Sequence, residues 1–297
     1  MTDTIRVTAT GRAPGYMPEF VARELGFFAD ADLEVETIVP HDWEEVLPDI
    51  ESGECDLALG GIWVPAMFRG RGKEFVVAGQ LCHRASFSVV ARQPLGEDWA
   101  HSLADRSVLV PGRGGASLNM FLEMYLKEQG AELGQSRVAH DLTSAMMNEL
   151  YAGGGGEILM VEAVQARRLE ALGNHIVGDF LNDGGDIPWS VYYTTPETLR
   201  AKESTLKRFN QALERAMGFM NGHPAEEYVP QVARWYPAFS EQELLHQAEA
   251  MQKAGMWTST RFQESSYQRW QRGIVLGGLL EEPMPSGDLI ADFALEG

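Results

Sequence analysis

Over the first ninety residues the chain alternates between stretches of period-two hydrophobicity and stretches with apolar residues at helical spacing. That alternation commits a chain to successive βαβ units, and so to parallel or mixed sheets flanked by helices. Ile5 to Ala9 alternates with threonines as a first strand. Met17, Phe20, Val21 and Leu25 then recur at helical spacing, and Gly26 closes that helix. Leu33 to Ile38 reads as a second strand, the stretch around Trp43 to Ser52 as a helix, "DLALGG" as a buried third strand ending in a glycine pair, and "EFVVAGQL" as a fourth.

From about Gln93 to Trp189 the alternation repeats, with strands expected at Ser107 to Val110, Arg137 to Asp141, Ile158 to Val161 and His175 to Phe180. Between the first two lies "SLNMFLEMYLKEQG", whose Leu118, Phe121, Leu122, Tyr125 and Leu126 share one face up to Gly130. "AGGGGE", Ala152 to Glu157, reads as a helix-to-strand connection. From Thr195 the pattern becomes consecutive helices, opened by a threonine cap and Pro196. With no flexible linker, two αβ lobes and a helical tail are expected to join through strand-like crossovers near residues 90 and 190. The expected division is 1–92 plus 193–297 for lobe one and 93–192 for lobe two.

The 297 residues carry 24 Lys and Arg against 43 Asp and Glu, a net charge of −19. Such a field repels phosphate backbones and anionic lipid heads, which excludes nucleic acid as a partner. No apolar run is long enough for direct membrane insertion. Cys55 and Cys82 are too few and wrongly spaced for a metal set or a disulfide framework, and read as buried thiols. "MTDTIRVTATG" enters a strand with no leader-like pattern. The expected compartment is periplasmic if a signal was removed and cytoplasmic if Met1 is the native start.

Candidate site residues follow from the ends of the expected strands. In "GRGGAS", Gly112 to Ser117, a third small residue is missing for a dinucleotide fingerprint, and no lysine follows for a phosphate loop. A strand passing through glycines into a helix nevertheless leaves backbone N–H groups for an anion at Gly114, Gly115 and Ser117, or simply a helix capped by Ser117. "GGIW", Gly60 to Trp63, offers bare backbone and an aromatic wall at Gly60, Gly61 and Trp63, or plain packing of the indole. His83 and Arg84 in "CHRASF" offer a proton donor and a bidentate cation. Arg12 follows the first strand, and Trp43 can reach a cleft. His41 with Glu44 and Glu45 lacks a third ligand, so no metal and no cofactor are expected.

The ordered set "GYMPEFVARELGFFADADLEVETIV", "LPDIESGECDLALGG", "LADRSVLVPGRGGASLNMFLEMYLKEQG" and "EILMVEAV" resembles the periplasmic-binding-like superfamily. That superfamily includes the nitrate, sulfonate, taurine and pyrimidine-precursor binding proteins of ABC transporters, together with enzymes on the same fold. The resemblance spans about residues 4 to 195. It implies an α/β, two-lobed type II fold with two crossover strands and a helical C-terminal tail. It further implies a small anionic or aromatic ligand held in an interlobe cleft, and an ABC-transporter permease as partner if the protein is exported.

Carried over by position, Tyr16 and Met17 face the ligand after the first strand, Gly60 and Gly61 supply strand-end donors, and Gly114 to Ser117 start the lobe-two helix. Glu162 stands where members show Glu-Pro, here with Ala163 in place of the proline, and Trp189 covers the ligand. Among the enzymatic relatives, the pyrimidine synthase uses a histidine where this chain has Val64, and the desulfinase a cysteine where it has Tyr16. The aromatic-acid decarboxylases carry an Arg/His element like "CHRASFSVVA". The alternative function is therefore a cytosolic lyase with His83 as proton donor and Arg84 as oxyanion clamp. A cytosolic sensor or carrier is a third reading.

Overall fold

The computed structural model describes residues 2–112, 117–134, 136–140 and 142–296. The chain opens with β1 (Asp3–Ala9), a 3₁₀ turn at Pro14–Tyr16 and α1 (Met17–Glu24), then β2 (Leu33–Ile38), a 3₁₀ turn at Trp43–Glu45 and α2 (Val46–Ser52). It continues through β3 (Leu57–Gly61), α3 (Trp63–Phe68) and β4 (Val76–Cys82). Next come β5 (Phe87–Ala91), β6 (Ser107–Leu109), α4 (Ser117–Glu128), β7 (Arg137–Ala139), α5 (Ser144–Ala152) and β8 (Ile158–Glu162). After α6 (Ala163–Glu170), β9 (His175–Asp179) and α7 (Phe180–Asp183), β10 (Ser190–Thr194) leads into the helical tail. The tail holds α8 (Pro196–Gly222), α9 (Val229–Val232), α10 (Glu241–Ala254), α11 (Glu264–Leu276) and α12 (Ser286–Leu289).

By contact density the chain forms two units. One comprises Met1–His83, Asp186–Gln268 and Met284–Gly297; the other comprises Arg84–Gly185 and Arg269–Pro283. The breaks fall at 83/84 and 185/186, so β5 belongs to the second unit and β10 to the first, and a short piece of the tail, 269–283, joins the second.

The first unit holds a five-stranded sheet of order β2-β1-β3-β10-β4, in which β1 pairs in parallel with β2 and β3, and β10 runs antiparallel between β3 and β4. Ile5, Val7, Leu57, Leu59, Val191 and Tyr192 are fully buried in it. The tail adds α8, which is capped by Thr195 accepting from the Thr198 N–H, with Pro196 in its first turn. Phe209 on this helix stacks on Phe28 and meets Tyr192 edge-on.

The second unit repeats the plan with order β7-β6-β8-β5-β9, β5 running antiparallel to both neighbours. Its core joins Val90, Leu109, Met147, Tyr151, Leu159 and Leu169. The glycine run after α5 connects helix to strand. Gly154 and Gly156 take positive φ (97° and 70°), while Arg92 donates to the carbonyls of Tyr151, Gly155 and Gly156.

Candidate functional site

Both sheets contain a reversal of strand order. In the first, the loop after β1 leads towards β2 on one side and the loop after β3 leads towards β4 on the other, so the reversal lies between β1 and β3. In open α/β sheets the crevice beyond the carboxyl ends of the strands at such a reversal is where ligands bind. By the same reasoning the reversal of the second sheet lies between β6 and β8.

At the first reversal, Thr10 extends the β1 ladder by donating its N–H to the Leu59 carbonyl at 3.0 Å. The chain then turns through Pro14–Tyr16 into α1. The Gly15 carbonyl accepts from the Trp257 indole (2.7 Å) and the Cys82 thiol (3.2 Å), which fixes the turn. A Cβ at Gly15 would stand 3.1 Å from that sulfur. The turn places the Tyr16 phenol 3.5 Å from both the Thr10 and the Ser190 hydroxyls. Burial pushes the Tyr16 phenol up, so it stays neutral and able to donate. A fourth hydroxyl, that of Tyr236, is close enough to feel Glu19, Cys82 and Tyr16, and is buried with no hydrogen-bond partner among the described residues.

Gly60 and Gly61 end β3 opposite Val191 and Ser190. A Cβ on Gly60 would lie 3.0 Å from Thr10 Cγ2, and one on Gly61 would lie 2.4 Å from Trp63 Nε1. The glycine pair therefore makes room for the Thr10 side chain and the Trp63 indole. Trp63 in turn meets Trp43 with ring centroids 6.0 Å apart and planes tilted by 58°. The end of this sheet thus gathers Thr10, Tyr16, Gly60, Gly61, Trp63, Trp43 and Ser190.

The other expected site residues of the first unit have different surroundings. Met17 is fully buried at the head of the apolar stripe of α1. The Arg12 guanidinium lies over Phe20 and Trp235, 5.9 Å and 5.5 Å from their ring centroids. Trp189 is half-buried immediately before Ser190, and its N–H donates to the Cys82 carbonyl at 2.9 Å. His83 is buried; Nε2 lies 2.7 Å from the Ser259 carbonyl, to which it donates, and Nδ1 lies 3.1 Å from the Thr258 hydroxyl. The N–H on Nε2 is thus given to a backbone carbonyl.

In the second unit, Arg84 donates from Nη1 to the carbonyls of Leu181 and Asn182, both at 3.1 Å, within the short helix α7. Ser117 is the first residue of α4, and Glu162 ends β8, exposed at the N-terminal boundary of α6. Gly114 and Gly115 lie outside the described residues. Gly112 has a packing reason of its own, since a Cβ there would fall 1.5 Å from the His140 carbonyl oxygen. Among the described residues no three His, Cys, Asp or Glu side chains gather as a metal site, and no helix is long and apolar enough to cross a membrane.

Thr10 and Ser190 are site residues that sequence reasoning missed. Thr10 was accessible to it as the residue following the first strand; Ser190 reaches the same place only through the β10 register, which nothing local encodes.

Two α/β units, each with a reversed strand order and with the chain passing between them at 83/84 and 185/186, give the fold of periplasmic binding proteins. The chain belongs to the NMT1/THI5-like family, whose profile matches residues 13–227. It is 24% identical over 230 residues to the Bacillus subtilis protein YtlA, named as a candidate binding protein, covering 75% of this chain and 68% of that one. Among solved structures it is similar to the ligand-binding component of an ABC-type import system from Staphylococcus aureus with zinc bound (TM-score 0.74, 15% identity, 97% and 96% of the two chains). It is also similar to the periplasmic aliphatic sulphonate-binding protein SsuA from Escherichia coli (TM-score 0.70, 13% identity, 93% and 92% of the two chains).

Proposed function

We propose that this protein is a solute-binding protein of the type that serves an ABC importer, and that it holds a small oxyanion-bearing ligand, a sulfonate or carboxylate, without transforming it. The observation that carries the reading is the convergence of the Thr10, Tyr16 and Ser190 hydroxyls beside the glycine-shaped Trp63 indole at the β1/β3 reversal. In a chain of net charge −19, an anion has to be held by local donors, and neutral hydroxyls and backbone N–H groups can do this without a basic side chain. The Trp63 and Trp43 rings give the ligand's carbon part a flat wall. In the second unit, Ser117 at the start of α4 and Glu162 at the end of β8 are proposed as ligand contacts of that unit, with Gly114 and Gly115 carried from the sequence reading alone.

Support for binding without turnover comes from His83 and Arg84. The His83 Nε2–H and one Arg84 nitrogen, Nη1, are given to backbone carbonyls, which draws on the groups a lyase would use. The names of the similar proteins, one binding aliphatic sulphonates and one an importer component, agree with this ligand class and with a transporter permease as partner.

A thermal-shift screen of the purified protein against alkane- and arylsulfonates, aromatic carboxylates, pyrimidines and nitrate tests the reading, followed by mass spectrometry of each stabilising compound after incubation. The expected result is a sulfonate or carboxylate hit recovered intact. A hit recovered without its carboxylate or sulfur group would overturn it.

A further inference from the structure

Three guanidiniums converge on one indole in the first unit. Arg23, Arg234 and Arg12 lie 4.7, 5.3 and 5.5 Å from the Trp235 ring centroid, within the range of cation–π attraction. The ring is half-buried and stacks on Phe20 of α1 at 5.4 Å, which holds it in place. One carboxylate, Glu24, serves the cluster: it accepts from Arg234 Nη2 at 2.6 Å and from the Trp235 Nε1–H at 2.9 Å. Arg12 and Arg23 make no hydrogen bond or ion pair to a carboxylate among the described residues. The acid that both of them influence is Glu19, whose two oxygens are turned inward to Thr37 and Tyr192.

A guanidinium held against an aromatic face keeps its in-plane N–H fork for a second partner, and two parallel N–H groups match the spacing of an oxyanion's oxygens. We propose that Arg12, Arg23 and Arg234 around Trp235 form a second, surface anion site that takes a tetrahedral dianion such as sulfate or phosphate, free or as the end of a small metabolite. The indole is the shared contact of the three cations, and three guanidiniums against the single Glu24 carboxylate leave an excess of two positive charges. In a chain whose surface is otherwise strongly acidic, such a locus is a selective place for an anion to settle.

The test follows the Trp235 indole N–H and arginine Nε–H resonances in ¹⁵N-labelled full-length protein titrated with sodium sulfate at constant ionic strength, with Trp235→Phe assigning the indole. The expected result is a saturable shift with a dissociation constant of about 1–10 mM. Arg23→Gln should weaken it at least about fivefold, while Arg215→Gln, which removes an arginine resting on Phe27 and paired to Asp30, should leave it unchanged. Absence of a saturable shift, or an equal shift in Arg23→Gln, would overturn the proposal. So would a hexaglutamate peptide that saturates the same resonances where sulfate leaves them unmoved, since the surface would then be one for acidic protein segments.

Discussion

Glu19 lies on α1 and is 2% exposed, a rare environment for a carboxyl. The Tyr192 hydroxyl donates to Oε2 at 2.6 Å and the Thr37 hydroxyl donates to Oε1. Burial is the larger effect and pushes this carboxyl up from its ordinary value, while the two hydroxyls pull it back. Because the folded protein then binds the proton more tightly than the unfolded chain, the contribution is fully present below the unfolded chain's carboxyl range and is lost as pH rises through the folded value. Glu157 works in the other direction. Its carboxylate accepts from the Ser107 N–H and lies beside Arg106, is held below the usual range, and its contribution is lost as pH falls.

Comparing Tm against pH for wild type and Glu19→Gln isolates the first effect. The gap should move in favour of the variant as pH rises above about 4.3, by about 1.4 kcal/mol for each tenfold difference in proton affinity. Parallel curves would contradict a raised proton affinity of Glu19 in the folded protein. The apolar spacing of Met17, Phe20, Val21 and Leu25 in the sequence does not mark Glu19 as buried. Its burial depends on hydroxyls 18 and 173 residues away, which no local pattern carries.

At the scale of elements, the legible part of the fold is what local chemistry specifies. β2 spans Leu33–Ile38 as its alternation predicts, α8 starts at the Thr195 cap with Pro196, and α1 ends just before Gly26, which takes a φ of 80°. Helix α5 is read only as the helix that precedes the glycine run, and α6 is not placed in the sequence reading. Cys82 is the buried thiol the sequence predicts, lifted by burial to about 12; only its donation to the Gly15 carbonyl, 67 residues away, is opaque to local reasoning.

The glycine pair is legible as a feature but not as a cause. Read from sequence it suggests exposed backbone donors; in the structure it is paired to β10 and leaves room for Thr10 and Trp63. Gly61→Ala should therefore force the Trp63 ring away from the end of β3, costing about 1–3 kcal/mol by chemical denaturation. Near-UV circular dichroism should report the moved indole. An unchanged spectrum and unchanged stability would show that the glycine serves something other than this packing.

For the whole molecule, the alternating period is enough to anticipate two α/β units and a helical tail, because each βαβ segment buries its own strands and helix faces. The exact exchange of chain between units is less legible, since β5 and β10 are placed by antiparallel pairing with strands distant in sequence. In the proposed function, this acidic protein holds an anion through hydroxyls at the β1/β3 reversal of its first sheet. Isothermal titration of the ligand found by the screen, with wild type and Tyr16→Phe side by side, tests that most directly. Removing one hydroxyl bonded to a charged group costs about 1.5–3 kcal/mol, so at least about tenfold weaker binding is expected, with apo stability nearly unchanged. Equal affinity in the two proteins would contradict it.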